Sequence, residues 1–97
     1  MKIFETYISA DLPSVVLPVH AKILSASPAV SNKLKIVYCA EYDVHNIPTA
    51  AKVAQHQVAV LGVGEELPKH FDAGTLSVFA ITPERFLFVS NPSSPRN

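Results

Sequence analysis

Glu41, Asp43 and His45 occupy alternate positions in the polar stretch 41–46 of this 97-residue chain. In an extended segment, residues two apart share a face. Two carboxylates and an imidazole would then converge, a set that suits a divalent cation or an acid–base pair. No further cluster of ligand-type residues lies nearby to complete a metal shell. The sequence therefore predicts no catalytic residue, no metal and no cofactor. A small metal- or ligand-binding, enzyme-like domain built on these three residues remains the rival reading.

The other reactive side chains read as structural. Cys39 lies inside the apolar run Ile36-Val37-Tyr38-Cys39-Ala40, where a thiol is a small buried hydrophobe. His20 falls among apolar positions and is expected to be partly buried. His56 and His70 stand in polar surroundings and are expected to be solvated. Gly62-Val63-Gly64 has the glycines of a phosphate loop, but Glu65, Glu66 and Pro68 follow, where two carboxylates would repel an anion. That segment reads as a turn.

Prolines punctuate the chain more than any motif does: there are eight, against three glycines. Each fixes φ and removes a donor, so it marks where an element starts, bends or stops. The lead-in at Asp11 and Pro13 and the apolar positions Val15, Val16, Val19, Ile23 and Leu24 predict a first helix from about Leu17 to Ala26. Pro18 conflicts with that helix, and Ser27-Pro28 stops it. Asn46 and Pro48 predict a second helix through Ala50, Ala51, Val53 and Ala54. Strands are expected at 2–9, at 34–40 and at 58–63, with the middle one buried on both faces as a central strand. A β-hairpin is expected over 75–81 and 86–90, turning at Thr82-Pro83-Glu84-Arg85. The predicted fold is a single small mixed α/β (α+β) domain over residues 1–90. It has one mixed sheet, two helices and a C-terminal hairpin, followed by a disordered tail over 91–97.

Leu67-Pro68 lies in the most polar internal loop, Glu65 to His70, and is the one proline without an architectural role in this scheme. An exposed X–Pro bond there is reachable by partners, including a prolyl isomerase. Glu66, Leu67, Pro68 and Lys69 are therefore candidate partner-binding residues. Phe79, Phe86 and Phe88 alternate across the two faces of the hairpin and supply one core face and one contact face, and Phe86 and Phe88 are the other candidates.

Composition narrows the function classes. Hydrophobic residues make up 48% and charged residues only 16%, so a folded core is expected together with an apolar surface patch. So small a domain calls for a partner, or a homo-oligomer, to cover that patch. Net charge is zero with no basic stripe, which argues against direct nucleic-acid binding and against a charged membrane surface. The single cysteine allows no internal disulfide and fits a cytoplasmic setting. The N-terminus lacks the apolar stretch of a signal peptide, and no apolar run approaches a membrane span. The expected function is a non-enzymatic protein-binding module.

Two resemblances add to this. The predicted order of strand, helix, strand, helix and hairpin resembles the thioredoxin-like arrangement, without its redox cysteines or the proline before its hairpin strand. That would imply a degenerate component of a secretion or conjugation system. In size, proline content and the loop Glu66-Leu67-Pro68-Lys69, the chain is similar to small accessory proteins of temperate bacteriophages, of the anti-RecBCD type. This resemblance implies inhibition or modulation of the host RecBCD recombination nuclease by protein contact, in the host cytoplasm and without catalysis.

Overall fold

Along residues 33–40, burial alternates strictly. Leu34, Ile36, Tyr38 and Ala40 are buried, and the residues between them are half-buried or exposed. A period of two marks a strand with one face on a core. The computed structural model describes residues 1–69, 71 and 76–90, and every regular element among them is a strand. These are β1 (Lys2–Ser9), β2 (Ser14–Pro18), β3 (Lys22–Ala29), β4 (Lys33–Ala40), β5 (Val53–Gly62), β6 (Leu76–Thr82) and β7 (Arg85–Ser90). They form two antiparallel sheets, β1-β4-β3 and β2-β5-β7-β6.

The sheets pack face to face as a β-sandwich. Ile8, Ala26, Leu34 and Ile36 of the first sheet meet Val58, Ile81, Leu87 and Val89 of the second. A second cluster joins Leu17 of β2 to Tyr38 and Ala40 of β4, with Phe4 stacked at a tilt on the Tyr38 ring, centroids 5.8 Å apart. Each fully buried aliphatic side chain contributes roughly 1.5–3 kcal/mol relative to exposure, so these two clusters are the main favourable term in the fold.

The structure overturns the mixed α/β expectation: neither predicted helix is present. Residues 17–26 span the end of β2, a turn and most of β3. Within the turn, His20 takes a positive φ of 66° and the Ala21 N–H donates to the Pro18 carbonyl. Of the apolar residues whose spacing suggests a helix, Val15 of β2 and Ile23 of β3 pack inward, while Val16 and Leu24 are exposed on the opposite faces. A β-bulge between Ile23 and Ser25 moves the inward phase by one residue, which turns period two into an apparent i, i+3 pattern. The β-branched Val15, Val16, Val19 and Ile23 favour strand over helix, and Pro18 is tolerated because β2 is an edge strand. The second predicted helix is a loop with one turn, Ala51 N–H to the Pro48 carbonyl, that leads into β5 at Val53.

Two further expectations change with it. β4 is the middle strand of its sheet but is covered on one face only. Separate antiparallel sheets without helices also remove the thioredoxin-like arrangement. The C-terminal hairpin is present as antiparallel β6 and β7, with Thr82 Oγ1 accepting the Glu84 and Arg85 N–H groups at 3.3 and 3.1 Å. The tail 91–97, His70 and Thr75 lie outside the described residues.

Candidate binding face

Strand register places Phe88 of β7 between Val78 of β6 and Ala59 of β5. It places Phe86 between Ala80 and Leu61 in the next outward row. The inward neighbours Leu87 and Val89 are buried, so both rows lie on the outer face of the second sheet. Val78 is 50% exposed there, and Phe86, Phe88, Ala59 and Leu61 are half-buried. Neither row contains a charged or polar side chain.

The outer face of the first sheet is built differently. Its cross-strand rows are Ile3–Cys39–Lys22, Glu5–Val37–Ser25, Tyr7–Lys35–Ser27 and Ser9–Lys33–Ala29. Every one of them carries a charge, and Lys35 Nζ lies 3.3 Å from Glu5 Oε2. A face charged in each row is held in solvent, whereas an aromatic-bearing uncharged face leaves apolar area exposed to water.

Of the predicted partner-binding residues, Phe86 and Phe88 thus share one surface. Glu66, Leu67, Pro68 and Lys69 follow the turn that ends β5. There the Gly62 N–H donates to Glu65 Oε1 at 2.6 Å, and Gly64 takes φ of 90°. This turn abuts the hairpin turn, since the Val63 N–H donates to the Glu84 carbonyl. Glu66 and Lys69 are exposed, while Leu67 and Pro68 are half-buried. Pro68 does have an architectural role: its carbonyl accepts the Phe71 N–H at 3.0 Å, closing a turn that delivers Phe71 to a buried position. No peptide bond among the described residues is cis.

Glu41, Asp43 and His45 are not assembled into a metal shell, and no group of three or more ligand side chains is close enough to hold an ion among the described residues. Asp43 Oδ1 instead accepts the His45 N–H at 3.1 Å and the Tyr38 hydroxyl at 3.3 Å. The Tyr38 oxygen accepts the Val44 N–H at 2.7 Å, and His45 Nε2 is hydrogen-bonded to Thr6 Oγ1 at 2.9 Å. These contacts fasten the 41–46 loop to β1 and β4. Burial, foremost, raises the Tyr38 pKa; the nearby Asp43 carboxylate adds to this and the Val44 bond opposes it. A protonated phenol is what the bond to Asp43 requires.

Cys39 is half-buried on the outer face, not in the core, with its Sγ 4.0 Å from Met1 Sδ. His20 is exposed in its turn. His56 reverses the expectation of solvation: it is buried on the inner face of β5, with Nδ1 unpartnered among the described residues. Burial pushes its pKa below the ordinary value, and a hydrogen bond to the Ser90 backbone partly offsets that push. Its inward position follows from the alternation with Val58, a signal that was present in the sequence beneath the flanking glutamines. An open cleft of about 260 Å³ lies between the β2–β3 turn and the 41–52 loop, lined by residues including His20, Glu41, Tyr42 and Lys52.

No family model, no curated protein and no solved structure matches the chain. Among the described residues, no helix is long and apolar enough to cross a membrane.

Proposed function

We propose that the chain is a non-enzymatic protein-binding module whose contact surface is the outer face of β5, β7 and β6. The observation that supports this reading is the pair of uncharged rows centred on Phe86 and Phe88, set against an opposite face charged in every row. Aromatic residues in the middle of an uncharged patch are the composition of an interface core. Gln55 and Gln57 at the start of β5 and Ser14 of the adjoining β2 supply a polar rim, with Gln55 Nε2 donating to Ser14 Oγ at 2.9 Å. The Glu66–Lys69 loop, which follows the turn beside the hairpin, would add charged contacts to such an interface.

The bacteriophage resemblance supplies the first partner to try, a host RecBCD-type nuclease acting in the cytoplasm. The test is affinity capture from bacterial lysate at physiological salt, with wild type beside Val78→Lys and purified nuclease as a second bait. Val78 is exposed, so the substitution charges the patch without opening the core. Wild type is expected to retain a stoichiometric partner that Val78→Lys loses. Equal capture by both, or none by either, would overturn the reading.

A further inference from the structure

The outer edges of the two sheets differ in what they offer an incoming strand. β2 is only 5 residues long and ends on Pro18. β3 has a bulge between Ile23 and Ser25 and contains Pro28. β6 has a register shift between Ala80 and Thr82. Short length, bulges and prolines are the devices that keep an edge from templating another strand.

β1 has none of them. Its 8 residues, Lys2–Ser9, run in unbroken register with β4, without proline or glycine. Its other edge pairs with no described strand. Ile3 and Tyr7 on its outward side are 69% and 55% exposed.

We propose that β1 pairs antiparallel with β1 of a second copy of this chain, about a two-fold axis at Thr6, joining two three-stranded sheets into one continuous sheet. This surface is separate from the Phe86–Phe88 face, and the inference stands independently of the partner proposed for that face.

Register selects this occupant. Pairing must match inward residues with inward residues, because a one-residue slip exchanges the two faces. An axis at Glu5 sets that carboxylate directly against its own copy. An axis at Phe4 sets Ile3 against Glu5. An axis at Thr6 sets Phe4 against Ile8 of the second copy on the core side, Thr6 against Thr6, and Glu5 against Tyr7 on the outer side. That register has no like-charge pair and sets apolar Phe4 and Ile8 together on either side of Thr6, whose Oγ1 is already bonded to His45 within its own copy. Zero net charge means that no long-range repulsion opposes the approach of two copies. A single strand pair buries less than the roughly 1,200 Å² of a stable interface, so this is a weak dimer that forms at high concentration.

Sedimentation of the full chain up to millimolar concentration, with Tyr7→Glu and Tyr7→Lys alongside, tests both the pairing and its register. Within one copy residue 7 faces Lys35, so Glu at this position is favourable in the monomer. In the dimer it meets Glu5 of the second copy at two symmetric positions. Wild type is expected to dimerise. Tyr7→Glu should weaken the dimer by roughly fivefold or more, and Tyr7→Lys should retain it. Circular dichroism on the same samples separates lost pairing from lost fold. A wild type that stays monomeric at millimolar concentration overturns the proposal, leaving this edge to a foreign strand or to none. Equal responses to the two opposite charges overturn it as well, because residue 7 then does not face Glu5.

Discussion

At the scale of single residues, the polar side chains that looked fit for chemistry serve mainly to hold the fold. Tyr38 is buried beneath the loop that follows β4, and its one hydroxyl bonds both Val44 and Asp43. Tyr38→Phe should leave the Val44 N–H unsatisfied and lower unfolding free energy by about 1–3 kcal/mol in urea titrations. Tyr42→Phe, at an exposed position of the same loop, should change it little. His56 makes stability depend on pH. Its folded pKa lies below the ordinary value near 6.5, so the folded state resists the proton that the unfolded chain accepts. The stabilisation is complete above about pH 6.5 and is lost progressively as pH falls through the depressed folded value. Denaturation midpoints should therefore drop between neutral and mildly acid pH in wild type. His56→Leu should flatten that drop, and an unchanged slope in the variant would assign it to other groups.

At the scale of elements, β1 is readable from its alternation, β4 from a short run rich in β-branched and aromatic residues, and the C-terminal hairpin from two such runs around a proline-bearing turn. β2 and β3 were not readable. Their apolar residues lie on both faces of the strands and pass through a tight turn and a bulge, so Val15, Val16, Val19, Ile23 and Leu24 fall at helical spacing without sharing a face, and a local pattern carries no record of which sheet each strand joins. Phe86 and Phe88 are named as contact residues from the two-faced hairpin, and it is the burial of Leu87 and Val89 in the structure that sets them on the outer face. What the sequence lacked was the neighbouring β5, which contributes Ala59 and Leu61 and makes the face uncharged across three strands. The turn closing β5 offers a test of local geometry. At Gly64 a Cβ would meet nothing within 4 Å, but φ of 90° is strained for an L side chain. Gly64→Ala should therefore destabilise by about 1 kcal/mol in thermal melts, through backbone strain and not through a clash.

At the scale of the whole molecule, the two outer faces divide the work. The β1-β4-β3 face spreads Lys22, Glu5, Lys35 and Lys33 over successive rows and faces solvent, while the β5-β7-β6 face gathers its aromatic residues without a charge among them. A sandwich with two such different surfaces should engage a partner from one side. The most direct measurement is photo-crosslinking with a benzophenone side chain placed at Val78 or, as a control on the opposite face, at Ser27. The account predicts a discrete crosslinked partner from position 78 and none from position 27. Crosslinking from position 27 alone, or equally from both, would contradict it.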